Sequence, residues 1–247
     1  KKAGRIVWRS ADSGNTMASG GAFSSPIIAE LQGVEQVVVF TRAALMGVDV
    51  DSGRVLWSQA VPNFRGMNIV TPVVHEDGIF VSQHRNGSYF YKAVRDGGEG
   101  RLRVEPAWRN KGSGYMSSPI VIDGFAYLHL GNGRFTCVDL ASGDERWRTK
   151  PLGEYWSLLW QGDRILALAE DGTLRLIQAD PDRFELIDER EVAAATTWGH
   201  LAMAGDQLFV RELEALSVFR FPAPIEDLVV ARGPSDHGPQ LFLARRR

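Results

Sequence analysis

Side chains that could carry catalytic or metal chemistry are few in this sequence and lie far apart along it. None of the histidines has the His-x-x-x-His or Glu-x-x-His spacing that builds a local metal site. His75 and His84 flank one predicted hairpin and could meet, but we expect surface or turn roles for both. The five histidines are His75, His84, His129, His200 and His237. The pattern predicts no catalytic residues and no metal ligands.

Aspartate and serine also recur, at fixed positions of a repeated pattern. Asp49 and Asp139 stand in predicted turns, where an Asp side chain accepts hydrogen bonds from nearby backbone amides. The pairs Ser24-Ser25 and Ser117-Ser118 are repeated too, which favours a structural hydroxyl over a nucleophile. A serine triad would also need a nearby His and Asp, which the pattern does not supply. We therefore interpret these residues as architecture.

Composition limits the classes of partner. The chain has 28 basic and 30 acidic side chains and a formal charge of -2, which argues against a nucleic-acid-binding surface. Cys137 is the only cysteine, so no disulfide can form within the chain, and its apolar neighbours predict a small buried side chain. No apolar stretch reaches the ~20 residues of a membrane span. Since the sequence opens on Lys1-Lys2 without an initiator Met, we expect a removed leader or a longer polypeptide.

The elements that must position any site come from an internal repeat. Residues 114–147 contain four short apolar runs separated by three turns. The same pattern occurs earlier, because residues 21–28 match residues 114–121 and residues 48–57 match residues 138–147. Repetition of this kind predicts a fold assembled from similar four-stranded sheets.

Five successive repeats follow from this comparison, the first three clear, the fourth degenerate and the fifth with three strands. The predicted ranges are 1–9 for the outer strand of a blade, 24–61, 71–110, 117–150, 156–192 and 198–221 for the repeats, and 222–247 for a C-terminal tail. Residues 183–192 are predicted as the outer strand of the fourth repeat. A short helix over residues 183–195 is the alternative, because of their Glu and Ala content.

The predicted fold class is all-β: a β-propeller of four-stranded antiparallel blades, with about five blades in this chain. The apolar runs are short, rich in β-branched and aromatic residues, and bounded by the Gly-containing turns that suit tight hairpins. The central runs are continuous rather than alternating, so both faces of each sheet must be covered, as in stacked blades. Tryptophan recurs at the predicted seam between blades: Trp8, Trp57, Trp108 and Trp147.

Two arrangements of the ring remain open at this point. Residues 4–8 could supply the missing fourth strand of the last repeat and close a five-bladed ring. Alternatively, they could be the remnant of an upstream blade, and this chain would then be part of a larger seven- or eight-bladed ring.

The repeats resemble those of the pyrroloquinoline-quinone-type (PQQ-like) β-propellers. The resemblance rests on Ser-Ser-Pro-Ile-(Ile/Val) at residues 24–28 and 117–121, and on Val-Asp-x-x-Ser-Gly-x-x-x-Trp at residues 48–57 and 138–147. The family contains quinoprotein dehydrogenases alongside non-enzymatic members such as the outer-membrane assembly lipoprotein BamB. The resemblance therefore implies the fold and leaves the activity open. The family's full propellers usually have seven or eight blades, which favours the larger ring.

The resemblance also implies what a quinone enzyme of this family would need. Its dehydrogenases hold PQQ between a tryptophan floor and a disulfide of adjacent cysteines, coordinate calcium with Glu, Asn and Asp, and use an Asp as base. This sequence has one cysteine, and it has no acidic cluster resembling the calcium site. We therefore expect no cofactor, neither PQQ nor calcium.

The segments that link one repeat to the next are where the repeats differ most. Such links collect on one face of a propeller, and here they carry aromatic residues and an arginine, which are enriched at interaction sites. Plain packing of connecting loops is the alternative interpretation. The predicted partner-binding residues are Phe64, Arg65, Tyr115, Tyr155, Trp156 and Trp198.

These observations predict a non-catalytic propeller that binds or scaffolds another protein. By family resemblance it would lie in the periplasm or otherwise outside the cytoplasm. We expect no nucleic-acid partner and no membrane span, and the oligomeric state is left open. Two alternatives are kept: a PQQ-dependent dehydrogenase, and the ligand-sensing portion of a larger receptor or kinase.

Overall fold

The computed structural model describes residues 4–10, 23–97 and 100–221, which form antiparallel β-sheets. Within each sheet, every strand pairs with the next one along the chain, so each sheet is a simple meander. These ranges contain no helix, and the segment with an alternative helical prediction forms a strand, β16 (Glu185–Glu191). The predicted all-β fold of antiparallel blades is confirmed. The chain divides into two compact units: Lys1–Leu152 with Asp180–Phe184 (unit 1), and Gly153–Ala179 with Glu185–Arg247 (unit 2).

Unit 1 contains three four-stranded sheets. The strands of sheet 1 are β1 (Ile27–Leu31), β2 (Val34–Phe40), β3 (Ala44–Asp49) and β4 (Val55–Ala60). The strands of sheet 2 are β5 (Val73–His75), β6 (Gly78–Gln83), β7 (Gly87–Arg95) and β8 (Leu102–Asn110). The strands of sheet 3 are β9 (Ile120–Ile122), β10 (Phe125–His129), β11 (Arg134–Asp139) and β12 (Glu145–Pro151).

Unit 2 contains two sheets. The strands of sheet 4 are β13 (Ser157–Gln161), β14 (Arg164–Leu168), β15 (Thr173–Gln178) and β16 (Glu185–Glu191). The strands of sheet 5 are β17 (Ala202–Ala204), β18 (Gln207–Arg211) and β19 (Leu216–Arg220). Sheet 5 therefore has the three strands that the sequence predicted.

The central strands are covered on both faces, as their continuous apolar runs predicted. In β6, Ile79 and Val81 pack into a core with Phe40 and Trp57 of sheet 1. The intervening Phe80 points to the other face and packs with sheet 3. Burying each such side chain contributes about 1.5–3 kcal/mol, so stacking of sheets is what stabilises unit 1. In unit 2, sheets 4 and 5 pack in the same way through leucines of β14, β15 and β18.

Tryptophans lie where the repeat predicted seams. The Nε1 of Trp8 donates to the carbonyl of Val50 at 2.9 Å, and a Cβ on Gly53 would come within 2.6 Å of the indole. Trp108 repeats this arrangement against Gly143, where the corresponding approach would be 2.5 Å. Each ring therefore lies flat on a glycine turn, which explains why the turn needs glycine. The other two such bonds are Trp108 to the Leu140 carbonyl at 2.8 Å and Trp147 to the Asp180 carbonyl at 2.8 Å.

Trp57 departs from that pattern. Its Nε1 donates to the side-chain oxygen of Gln36 within its own sheet, at 2.6 Å. The hairpin of β7 and β8 is longer than its counterparts in the other sheets, and Leu102 and Val104 from it join the core around Trp57. The longer β7–β8 hairpin thus lies where Trp8 and Trp108 each have the tight glycine turn of the next sheet.

Residues 4–10 carry no strand, so the outer strand predicted within residues 1–9 is not formed over the part described there. The Trp8 side chain attaches this segment to sheet 1 through its hydrogen bond to the Val50 carbonyl. The described backbone of the segment does not pair with any strand. Sheet 5 has three strands among the described residues. The predicted tail over residues 222–247, with His237, lies outside the described residues.

Candidate functional site

The candidate site is at the end of each sheet where the last strand leaves for the next sheet, here called the link end. Because neighbouring strands are antiparallel, the turn between the second and third strands lies at the same end as this exit. Link 1 (residues 61–72) and link 2 (residues 111–119) leave sheets 1 and 2. They contact the turns directly: Val61 N–H donates to the Ala43 carbonyl at 3.1 Å, and Gly131 N–H donates to the Ser113 carbonyl at 2.9 Å.

Three rings from different loops meet at the link end of unit 1. Phe64 of link 1 lies edge-on to His84, with ring centroids 5.7 Å apart. His84, in the turn between β6 and β7, also packs on Tyr115 of link 2, with centroids 4.4 Å apart. All three side chains are half-buried. Together with Arg65 and Arg85 they form the aromatic–arginine cluster.

Two arginines lie over one ring in this cluster. The guanidinium carbons of Arg65 and Arg85 lie 5.3 Å and 5.0 Å from the centroid of Phe64. Both residues have left-handed backbones, with φ of 56° and 63°. That conformation costs a non-glycine residue about 1–2 kcal/mol, and residues held in it concentrate at functional sites. Two exposed cations therefore lie beside one aromatic ring, although the backbone of both arginines is strained.

A tight turn fixes link 1 in place. Gly66 N–H donates to the Asn63 side chain at 2.8 Å, and Arg42 donates to the Arg65 carbonyl at 3.3 Å. A Cβ on Gly66 would lie 2.7 Å from Nε of Arg42, and the glycine has φ of 68°. Arg42 thus packs against the turn that carries Phe64, and a Cβ on Gly66 would displace its guanidinium.

Link 2 is anchored by buried hydroxyls. Gly114 N–H donates to Ser82 Oγ at 2.7 Å. Ser88 Oγ lies 2.8 Å from the same oxygen and donates to the Gly112 carbonyl at 2.7 Å. These bonds are buried and hold the backbone just before Tyr115, so its ring is positioned by the strands beneath it.

Two electrostatic features accompany the cluster. Burial lowers the pKa of His84 below its usual 6.5, and the positive charge of Arg85 lowers it further. Gln83, the residue before His84, is fully buried, and neither atom of its amide has a hydrogen-bond partner among the described residues. An unsatisfied buried amide costs about 1–3 kcal/mol, so Gln83 is a weak point directly beneath the cluster.

In unit 2, the predicted Trp156 is buried, with 1% of its surface exposed. The guanidinium of Arg175 from β15 lies 5.0 Å from its ring centroid. Arg175 is itself buried and pairs with Glu189 at 2.6 Å. A partner resting on the surface would not touch the Trp156 ring, which packs under the loops instead.

The other two predicted residues of unit 2 are accessible. Trp198 is 64% exposed, and its Nε1 donates to the Glu170 carboxylate at 3.0 Å. Thr197 anchors the same segment, because its hydroxyl donates to the Ala169 carbonyl at 2.6 Å. Tyr155 is half-buried and has a left-handed backbone with φ of 50°. Here the indole is held by an anion, whereas Phe64 in unit 1 is held by cations.

The aspartate, serine and cysteine residues that the sequence analysis considered have structural roles. Asp49 accepts hydrogen bonds from the Ser52 hydroxyl and amide, which lower its pKa. Ser118 Oγ accepts from Thr71 N–H at 3.2 Å. Cys137 is fully buried, and burial raises the pKa of its thiol to about 12. These roles agree with the predictions of turn, structural hydroxyl and small core residue.

Histidine contacts offer no catalytic arrangement. His75 and His84 lie at opposite ends of β6, roughly 20 Å apart at about 3.3 Å per residue, so they do not meet. Ser157 Oγ lies 3.3 Å from Nδ1 of His200, and that oxygen also accepts from Leu201 N–H at 3.0 Å. No carboxylate is seen on this His in the residues that the structure covers, so the pair is not a triad.

The residues present do not fit a quinone site of the kind described above. The single Cys137 lies inside β11 and cannot form a disulfide of adjacent cysteines. Over the described ranges, no group of three His, Cys, Asp or Glu side chains is placed to hold a metal ion. The same ranges hold no helix of the length and apolarity needed to cross a membrane.

The structure brings together Phe64, Arg65 and Tyr115, which the sequence of the links predicts as partner-binding residues. It adds His84 and Arg85, which belong to a hairpin turn and not to a link. The signal was available in principle. In an antiparallel meander the second turn of each sheet lies at the link end, so the same pattern also places His-Arg-Asn, between β6 and β7, at this end.

Comparison with known proteins places this chain among β-propellers. A family model described as outer membrane protein assembly factor BamB matches residues 1–149. The structure of BamB from Moraxella catarrhalis aligns with a TM-score of 0.61 at 12% identity, over 80% of this chain and 58% of that one. No match was found among curated protein sequences.

Two further solved structures are similar. A quinohemoprotein alcohol dehydrogenase from Pseudomonas putida HK5 aligns with a TM-score of 0.62 at 13% identity, over 87% of this chain and 42% of that one. The Cps50 (Swd1) β-propeller domain of Myceliophteria thermophila aligns with a TM-score of 0.56 at 10% identity, over 75% and 66%. At such identities the likeness shows the fold alone. This chain spans only about half the length of the first two propellers.

Proposed function

Because the chain belongs to the PQQ-like β-propeller family whose model is described as outer membrane protein assembly factor BamB, we propose that it is a non-catalytic protein-binding or scaffolding module working outside the cytoplasm. The observation that carries the proposal is the aromatic–arginine cluster. Its loops are anchored from below, while the guanidinium groups of Arg65 and Arg85 are exposed. Aromatic and Arg side chains held in this way are typical of binding hot spots.

The dehydrogenase alternative has one observation in its favour, the likeness of fold to the quinohemoprotein alcohol dehydrogenase. Against it stand the single buried Cys137 and the lack of a metal-holding acidic group in the described chain. We therefore propose that the protein works without PQQ or calcium. Mixing the purified protein with PQQ, calcium, a primary alcohol and a redox dye should give no turnover. Dye reduction that depends on PQQ would overturn a non-catalytic role.

Site-specific photocrosslinking tests the binding role. Phe64 or Tyr115 is replaced by p-benzoylphenylalanine in the full chain, expressed in its native cells, and irradiated. We expect both positions to give an adduct with the same protein. Asp51 is the matched control, because it is exposed in the same unit but lies in the β3–β4 turn at the opposite end of sheet 1. Equal adducts at position 51, or none at Phe64 and Tyr115, would contradict the proposal.

A further inference from the structure

We propose that the link end of unit 1 binds an acidic peptide segment of a partner protein, held by Arg65, Arg85 and Lys111 around the rings of the aromatic–arginine cluster. This inference rests on the proposed function, since it names the chemistry of the partner that the binding module would take.

The loops that the structure describes at the link end of unit 1 carry positive charge and no negative charge. They comprise residues 41–43, 61–72, 84–86, 111–119 and 130–133, and none of these residues is Asp or Glu. Their charged side chains are Arg42, Arg65, Arg85 and Lys111. An end built from cations alone attracts acidic partners and repels basic ones, which favours both encounter and specificity.

The opposite end of the same three sheets has the opposite character. Only Arg54 and Arg101 bring positive charge to the described turns there. The acidic residues in those turns are Asp51, Glu76, Asp77, Asp96, Asp123 and Asp144. Since the whole chain has a formal charge of -2, the positive link end reflects placement rather than composition.

The cations of the link end are available to a partner. Arg65, Arg85 and Lys111 are exposed, and no ion pair involves them within the described part of the chain. In contrast, Arg103 and Arg146 elsewhere in unit 1 are already paired with carboxylates. A carboxylate of a partner could therefore bind these cations without breaking an existing ion pair.

The geometry suits an extended peptide. Both guanidinium carbons lie within 5.3 Å of the Phe64 centroid, so they are at most about 10 Å apart. Alternate residues of an extended chain lie on one face about 7 Å apart, so two carboxylates spaced in this way can each reach one arginine. The ring of Phe64 is covered by guanidinium groups, which leaves charge facing outward rather than an open ring for base stacking.

A direct binding measurement tests the assignment. Three labelled peptides of equal length are used in fluorescence anisotropy with the full chain, with Glu, Gln or Lys alternating with Tyr. We expect the Glu–Tyr peptide to bind tightest and to weaken as salt is added, because exposed charges are screened. Arg65→Gln with Arg85→Gln should weaken it at least ten-fold. Arg54→Gln with Arg101→Gln removes the same charge at the opposite end and should leave binding within two-fold, about the experimental scatter.

Several outcomes would overturn the proposal. Equal binding of the Gln–Tyr peptide, or equal loss in the control pair, would show that the link-end charges do not select the ligand. Stronger competition by oligothymidine than by the Glu–Tyr peptide would assign the surface to nucleic acid. A salt-sensitive dimer in sedimentation, lost in the Arg65→Gln, Arg85→Gln variant, would make the occupant a second copy of this chain.

The two proposals fail in different ways. If photocrosslinks at Phe64 and Tyr115 persist while the Glu–Tyr peptide does not bind, the binding role stands and the acidic assignment fails. If the crosslinks are absent and the peptide also fails to bind, the link end of unit 1 is not a binding surface. Circular dichroism of each variant confirms that it is folded before its binding is compared.

Discussion

In unit 1 the described link-end loops carry four cations and no acidic residue, whereas in unit 2 the equivalent described loops carry acids and neither Lys nor Arg. The unit 2 loops comprise residues 153–156, 169–172, 192–201 and 212–215. Their acidic residues are Glu154, Glu170, Asp171, Glu212 and Glu214. Both units build these loops on the same antiparallel meander, so the strands fix where the loops lie and leave their charge free to differ.

The aromatic residues of the two link ends differ in the same way. In unit 1, Phe64 and Tyr115 are half-buried beside exposed arginines. In unit 2, Trp156 is buried over Arg175, which pairs with Glu189. Similar residue types at equivalent places therefore build a surface in one unit and a core in the other. Sequence position alone does not distinguish the two uses.

The largest expected effect on stability is the difference between removing a buried ring, Trp156, and removing a half-buried ring, Phe64. Trp156→Ala should lower the free energy of unfolding by about 3–5 kcal/mol, because it opens a large cavity and leaves the buried Arg175 without its ring. Phe64→Ala should cost no more than about 1 kcal/mol, since that ring is half-buried. Urea denaturation of both variants measures the difference. Equal costs would mean that the two link ends are packed alike.

The fold was predictable because the same sequence pattern recurs in successive repeats. Asp49 and Asp139, or Trp108 and Trp147, stand at equivalent places, and each copy supports the assignment of the other. The strand predicted over residues 4–8 failed because pairing needs a neighbouring strand, which a motif in one segment does not guarantee.

The site was less predictable because it is made where the repeats disagree. His84 and Arg85 occur in one turn only, so no second copy drew attention to them. Trp156 packs against Arg175, which is distant in sequence. Arg175 lies in β15, and nothing in the sequence of that strand indicates a contact with a tryptophan. Contacts between non-repeated side chains of separate loops are set by packing, and one-dimensional pattern carries little information about them.

The turn beneath Phe64 gives the next largest effect. Gly66→Ala should destabilise unit 1 by about 1.5–2 kcal/mol, because the backbone has φ of 68° and the new Cβ, 2.7 Å from Arg42, displaces the guanidinium from the Arg65 carbonyl. Gly33→Ala is the control, with a φ of 72° and nothing within 4 Å, and should cost only about 1 kcal/mol. Thermal and urea unfolding compare them. If the two variants unfold alike, Arg42 does not support the link.

The anchoring of Trp198 in unit 2 should have a smaller effect. Glu170→Ala removes the acceptor of the indole N–H and should cost about 0.5–1 kcal/mol, because the bond is exposed to solvent. Near-ultraviolet circular dichroism should change as the ring loses its fixed orientation. Glu154→Ala is the matched control, since it removes the same charge from a neighbouring loop. A similar spectral change in the control would show that charge alone, and not this bond, positions Trp198.

The smallest effect is a dependence of stability on pH that arises at the cationic link end. Burial, with a further contribution from Arg85, holds the pKa of His84 below the 6.5 of the unfolded chain. Above pH 6.5 His84 is neutral in both states, and the stability of unit 1 is fully present. As the pH falls below 6.5, the unfolded chain binds the proton first, so the free energy of unfolding decreases down to the folded pKa.

His84→Gln should remove this part of the acid sensitivity in urea unfolding measured from above pH 6.5 downward. Arg85→Gln should reduce it only partly, since burial is the larger cause and the charge of Arg85 the smaller. His75→Gln, at the far end of β6, serves as the control for losing a histidine from the same sheet. If His84→Gln retains the full acid slope, the positive loops of unit 1 do not oppose a further charge on the cluster. The two units would then differ in the number of charged residues in their link-end loops, but this difference would have no measurable effect on His84.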